Sequence, residues 1–185
     1  YTLGQGGIFQ LANAAVAIKA SKVLRESCFR MINSLTTKEA LKISRWPGRF
    51  EVVSHSPYVI VDGAHNPAAA HMLRLSLNKY FPGEKFNYII GVFKDKDYEN
   101  VLKEMLPYAK CVYTIDAPGE RGLDKEILAE NVRKISGGNI QTIEPKESVN
   151  IALSSVISHN KSDKTIVFGS LSFLHEVYDY FGEGH

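Results

Sequence analysis

Tyr58-Val59-Ile60-Val61-Asp62-Gly63-Ala64-His65-Asn66-Pro67 reads as a short apolar strand that ends in an acid, a glycine turn and an imidazole. A helix then starts, with Asn66 suited to the N-cap and Pro67 to the first helical position, where a missing N–H costs nothing. Asp62 and His65 therefore stand at the carboxyl end of a strand, beside the positive end of a helix. In open α/β sheets ligands bind at that edge. The alternative is a well-capped strand-to-helix turn that binds nothing.

The same grammar runs downstream. Strands are expected at 50–54, 58–62, 87–93, 111–115, 140–143 and 164–168, and helices at 67–80, 97–107, 124–136, 147–158 and 171–180. Tyr88-Ile89-Ile90-Gly91-Val92 and Thr165-Ile166-Val167-Phe168 show no polar alternation, as strands covered on both faces require. Each intervening helix is long enough to cross over between parallel strands. The expectation is a doubly wound, mostly parallel six-stranded α/β sheet with helices on both faces. Gly137-Gly138-Asn139 and His159-Asn160-Lys161-Ser162-Asp163 read as surface turns.

Upstream, the pattern differs. Gly4-Gln5-Gly6-Gly7 is a loop, and Gln10 to about Arg25 is helical, with Leu11, Ala14, Ala15, Ile18 and Val23 or Leu24 on one face expected to be buried. A second helix is expected from Thr36 or Thr37, with Glu39 as a capping acid, to about Ile43. Trp46-Pro47-Gly48-Arg49 breaks it and marks a boundary. The expected division is the end of one domain over 1–45, a linker or hinge over 46–49, and an α/β domain over 50–185.

Composition excludes several function classes. Twenty-two basic residues against 20 acidic ones, a net charge of +2, are too balanced and scattered for a nucleic-acid surface. No apolar run approaches the roughly 20 residues that span a bilayer, and no signal peptide is visible. Cys28 and Cys111 have no CxxC spacing, so neither zinc nor a disulfide scaffold is indicated, and a reducing, cytoplasmic setting fits. There is no GxGxxG after a strand, which argues against an oxidoreductase of Rossmann type, and no GxxxxGK[ST] or GxSxG. His55, His71, His159, His175 and His185 form no metal-ligand spacing.

Four polar clusters fall where the sheet can gather them at one edge. Asp62 and His65 can address one ligand as acceptor and as donor or base. Asp95-Lys96-Asp97 can place an ammonium group, or be a solvated loop with Asp97 capping the next helix. In Gly169-Ser170-Leu171 the hydroxyl either caps a helix or binds a carboxylate. Arg49, held by a rigid turn, suits phosphate through its forked guanidinium.

Trp46-Pro47-Gly48-Arg49, then Asp62-Gly63-Ala64-His65-Asn66-Pro67, Asp95-Lys96-Asp97 and Gly169-Ser170-Leu171 in that order resemble the folylpolyglutamate synthase/dihydrofolate synthase family, a branch of the Mur ligases. Gly7-Ile8-Phe9-Gln10-Leu11-Ala12-Asn13-Ala14 resembles the family's Gly-x-His-Gln-x-x-Asn-Ala segment, with Phe9 where the family has His. The resemblance implies the end of the central ATP-binding domain followed by the C-terminal domain. It implies ATP and Mg²⁺ as cofactors and folate or dihydropteroate and L-glutamate as substrates, joined through an acyl phosphate. By resemblance, Asn13, Arg49 and Asp62 contact ATP, Asp62 and His65 serve catalysis, and His65, Asp95, Lys96, Asp97 and Ser170 lie near glutamate. The P-loop, the principal Mg²⁺ ligands and most of the pterin site are expected before Tyr1, in the chain's own ATP-binding domain. The fragment alone is then expected to show no glutamate- and folate-dependent ADP release. In a full-length parent, Asp62→Ala or Arg49→Ala is expected to cut turnover and leave the fold intact. Left open are a stand-alone nucleotide- or anion-binding module and another amino-acid ligase of the same superfamily.

Overall fold

A computed structural model describes residues 1–27, 29–159 and 162–182. Cys28, the His159 side chain, the Asn160-Lys161 part of the expected turn and His185 lie outside the described residues. Two helices, α1 (Phe9–Ser27) and α2 (Ser34–Ile43), precede the sheet. Then follow β1 (Glu51–His55), β2 (Tyr58–Asp62), α3 (Pro67–Tyr80), β3 (Phe86–Ile90), α4 (Tyr98–Met105), β4 (Ala109–Thr114), α5 (Lys125–Ser136), β5 (Thr142–Pro145), α6 (Val149–His159), β6 (Thr165–Phe168) and α7 (Leu174–Phe181).

The strands lie in the order β1-β2-β6-β3-β4-β5, with β1 antiparallel to β2 and the remaining pairs parallel. Alternate residues of the central strands feed opposite faces, as the pleat demands. Ile60, Tyr88, Ile90, Ile166 and Phe168 pack with Leu73 and Leu77 of α3, Val101 and Met105 of α4 and Leu128 and Val132 of α5. Val59, Val61, Ile89 and Val167 pack with Leu153 and Val156 of α6 and Leu174 and Val177 of α7. Each such fully buried side chain contributes about 1.5–3 kcal/mol relative to exposure. This explains why the central strands need no polar alternation.

Register decides what meets at the sheet's carboxyl edge. Asp62 pairs with Phe168, and Phe168 with Ile90. The turns that begin at Gly63, Gly169 and Gly91 therefore leave the sheet side by side. Gly169, at φ 112°, presses so close to the Gly91 carbonyl that no Cβ fits between them.

Several local expectations are corrected. Helix α2 begins at Ser34 rather than Thr36, because Asn33 Oδ1 accepts from the Leu35 and Thr36 N–H groups and Thr36 Oγ1 accepts from the Asn33 N–H. That reciprocal cap leaves no capping role for Glu39. Strand β3 stops at Ile90, because Val92 and Phe93 pair instead with the loop at 121–123. Strand β5 spans 142–145 instead of 140–143. The expected buried face of α1 is not buried: Ala14 is, whereas Leu11, Val23 and Leu24 are exposed. Ile18 is half-buried, and Val16, Leu35 and Ile43 are exposed along with the rest of the stripe. The helix is tied to the α/β layer at its start, where the Ile8 N–H donates to Ser76 Oγ on α3 at 3.0 Å.

Candidate functional site

The two most specific stretches of the sequence are hydrogen-bonded to each other. The Gly63 N–H donates to the Gly48 carbonyl at 2.8 Å. The Phe50 N–H donates to Asp62 Oδ2 and the Ala64 N–H to Asp62 Oδ1, each at 2.8 Å. One buried carboxylate thus clamps the turn after β2 to the segment that carries Arg49. Gly48 and Phe50 flank Arg49 with φ of 70° and 49°. Left-handed backbone is unfavourable for Phe, and the Asp62 bond together with the buried ring hold it there. Gly63 is needed for close approach: a Cβ there would lie 2.5 Å from Leu171 Cδ2 and 3.1 Å from the Arg49 guanidinium.

Burial pushes the Asp62 carboxyl up from its ordinary 3.8 to about 6, against the pull of the Phe50 and Ala64 N–H groups, Arg49 and His65. His65 Nδ1 donates to the Gly63 carbonyl at 2.8 Å. That bond selects the tautomer whose Nε2 carries a free lone pair. Asn66 caps α3 as expected, its Oδ1 accepting from the Ala69 N–H at 2.9 Å with Pro67 in the first turn.

Beside this clamp a cleft of about 780 Å³ runs between α1 and the start of α3. Asn13, Arg49 and Asp62, 36 and 13 residues apart in sequence, all line it. A chain of amides sets Asn13: its Nδ2 donates to Gln10 Oε1 at 2.8 Å, and Gln10 Nε2 donates to Gln5 Oε1 at 2.5 Å. The Asn13 carbonyl oxygen is left to accept from a ligand. Apolar walls come from Phe9, Ala14, Ala17, Leu41, Trp46 and Met72. Phe9, which stands in place of a family His, is a wall residue and packs against the core. The volume lies within the range of small-molecule sites, and Arg49 is the one basic side chain among the residues that line it. Sequence reasoning missed Ala68 and Ala69, which also line the cleft. The signal available was the Ala68-Ala69-Ala70 run, whose small side chains leave room at the start of α3.

The remaining candidates do not line this cleft. Asp95 is bound by Arg121, and Asp97 Oδ2 accepts from Asn100 Nδ2 at 2.9 Å. Asp97 stands at the N-cap of α4 without a side-chain capping bond. Ser170 is buried, and its Oγ accepts from the Ser172 N–H at 3.1 Å. This local turn delays α7 to Leu174, so Ser170 caps no helix. Among the described residues no group of three or more His, Cys, Asp or Glu side chains could hold a metal ion, and no helix is long and apolar enough to cross a membrane.

A mostly parallel sheet with glycine-lined turns at its carboxyl edge, and a cleft beside a helical segment, is the architecture of an α/β fold whose ligands bind at that edge. The family model for the Mur ligase, glutamate ligase domain matches residues 48–171. The chain belongs to that family, and the relatives it matches include folylpolyglutamate and dihydrofolate synthases. It is 31% identical over 113 residues to the folylpolyglutamate synthase of Lacticaseibacillus casei, a match covering 61% of this chain and 26% of the relative. The solved structure of E. coli FolC in complex with ADP superposes with a TM-score of 0.75 at 30% identity, over 93% of this chain and 40% of that one. A Mycobacterium tuberculosis folylpolyglutamate synthase complexed with ADP and AMPPCP shares the fold with a TM-score of 0.85 at 22% identity, over 98% and 42% of the two chains. The chain thus spans about a quarter of that curated relative's length.

Proposed function

We propose that this chain is the C-terminal part of an ATP-dependent ligase that joins L-glutamate to folate, and to dihydropteroate if bifunctional. The observation that carries the reading is the convergence of Asn13, Arg49 and Asp62 on one cleft. In the chemistry proposed, the γ-phosphoryl group of ATP passes to a substrate carboxylate and ADP leaves. The amine of glutamate then attacks the acyl carbon and phosphate departs. Phosphoryl transfer is catalysed mainly by positioning and by charge placed against the phosphates. Arg49 supplies that charge from a locked backbone. Asp62, an acid with both oxygens engaged, is suited to setting Arg49 and contacting ribose or water rather than phosphate. His65 and Ser170 leave the sheet at adjacent turns, and with Lys96 they address the incoming amino acid.

Mg²⁺ enters this reading through the family resemblance, which puts its principal ligands in the ATP-binding domain. The exposed apolar stripe on α1 and α2 supports placing 1–45 in that domain, with 46–49 as the hinge through which 50–185 closes over ATP.

Trp46 is the single tryptophan and lines the cleft, two-thirds exposed. Titration of this chain with ATP or ADP is expected to change its fluorescence saturably. Arg49→Ala is expected to weaken that binding at least tenfold. A flat titration, with no nucleotide-dependent rise in Tm, would overturn the assignment of the cleft.

A further inference from the structure

The loop at 117–122 has no part in the site so far, yet it is built onto Asp95-Lys96-Asp97. The Lys94 N–H donates to the Arg121 carbonyl, and the Leu123 N–H to the Val92 carbonyl, both at 2.9 Å. Phe93 and Gly122 form an antiparallel bridge between those two bonds. Gly122 has no room for a Cβ against the Ala117 carbonyl. On this support the Arg121 guanidinium lies 5.1 Å from the Phe93 ring centroid. Its Nη2 donates to Asp95 Oδ2 at 2.5 Å and its Nε reaches Oδ1 at 3.4 Å. An isolated exposed ion pair is worth little. This one is fixed at both ends, by the ring on one side and a backbone ladder on the other.

The consequence falls on the next residue. Lys96 is adjacent to Asp95, half-buried, and makes no ion pair among the described residues. Of the two carboxylates that flank it, Asp95 is held by Arg121 and Asp97 accepts from Asn100 Nδ2. We infer that Arg121 is a positioning residue: by holding Asp95 it keeps the Lys96 ammonium open for the carboxylate of the incoming amino acid. The inference rests on the proposed reading that Lys96 addresses that amino acid. Without Arg121, Asp95 turns back on Lys96 and competes with the ligand.

The test is steady-state kinetics of the full-length protein with glutamate as the varied substrate. Arg121→Ala is expected to raise KM for glutamate about tenfold, with kcat and KM for ATP within twofold of wild type. Arg121→Lys, which can still hold Asp95, is expected to be intermediate. The double variant Asp95→Asn/Arg121→Ala is expected to recover KM to within about threefold, because the competing acid is gone. A merely structural role for the loop would leave the double variant as impaired as Arg121→Ala, and that result would overturn the inference, as would an unchanged KM in Arg121→Ala. Lys96→Met separates the two levels. If it raises KM for glutamate while Arg121→Ala does not, only the Arg121 inference falls. If Lys96→Met leaves KM unchanged, the reading of the loop falls and takes the inference with it.

Discussion

Asp62→Ala is expected to lower stability by roughly 2–4 kcal/mol at pH 5, the range for two buried donors left without an acceptor and partly relaxed. The Phe50 and Ala64 N–H groups each have Asp62 as their acceptor. Phe50 also relies on that bond to stay at φ 49°. Its release frees the backbone of Arg49 from the turn after β2. The expectation that this substitution leaves the fold intact is therefore revised: lost turnover in Asp62→Ala would report the broken clamp as much as any chemistry.

The effect should depend on pH, with a sign opposite to that of most carboxylates. Burial raises the Asp62 carboxyl from 3.8 to about 6, so between those values the folded state binds more protons than the unfolded one. Stability from this group is fully present below about pH 4 and is lost as the pH rises to about 6, by about 3 kcal/mol in all. Asp95 and Glu104 work the other way. Arg121 holds Asp95, and Arg74 holds Glu104, below the usual carboxylate range, so both favour the folded state above that range and cease to as the pH falls. The measurement is thus a difference, with urea unfolding of wild type and Asp62→Asn compared from pH 4 to 7. The variant should gain on wild type by about 2 kcal/mol across that interval. A constant difference would mean that Asp62 is not carried as a buried, reluctantly ionised acid.

How much of this was legible in the sequence follows from the range of the forces involved. The strands and most helices of the α/β layer were readable because each signal is local: apolar runs of four or five residues, and Asn66-Pro67 opening a helix. Boundaries went wrong where a side chain competed for a backbone group, as Ser170 does at Ser172 and Asn33 at Thr36. The burial of α1 was misread because a 3.6-residue apolar stripe specifies that a face wants cover, not where the cover comes from. Within the site, Asn13, Arg49 and Asp62 were each singled out, but nothing local showed that they share a cleft. Still less legible was Asp62 as the clamp between two motifs. Its Phe50 bond spans 12 residues, and it places a phenylalanine in left-handed backbone that no propensity would suggest. Arg121 carried no signal at all, since its meaning lies in a neighbour 26 residues away.

Arg49→Ala is expected to reduce turnover in the full-length protein at least 100-fold, equivalent to about 2.7 kcal/mol of lost transition-state stabilisation. The magnitude follows from preorganisation. Arg49 is held between Gly48, whose carbonyl is bonded to Gly63, and Phe50, whose N–H is bonded to Asp62, so its guanidinium faces the cleft without a search through backbone conformations. A cation already in place where charge develops costs no reorganisation during the reaction. Removing the side chain leaves those backbone bonds untouched, so Tm should stay within about 3 °C of wild type. In that respect the variant is a cleaner probe than Asp62→Ala. Arg49→Lys restores the charge but not the two-pronged geometry and is expected to recover about tenfold of the loss. ADP release measured with folate and glutamate present decides the matter. Near-wild-type rates in Arg49→Ala would detach the hinge arginine from the phosphates, and the cleft would then have to be read as binding something other than ATP.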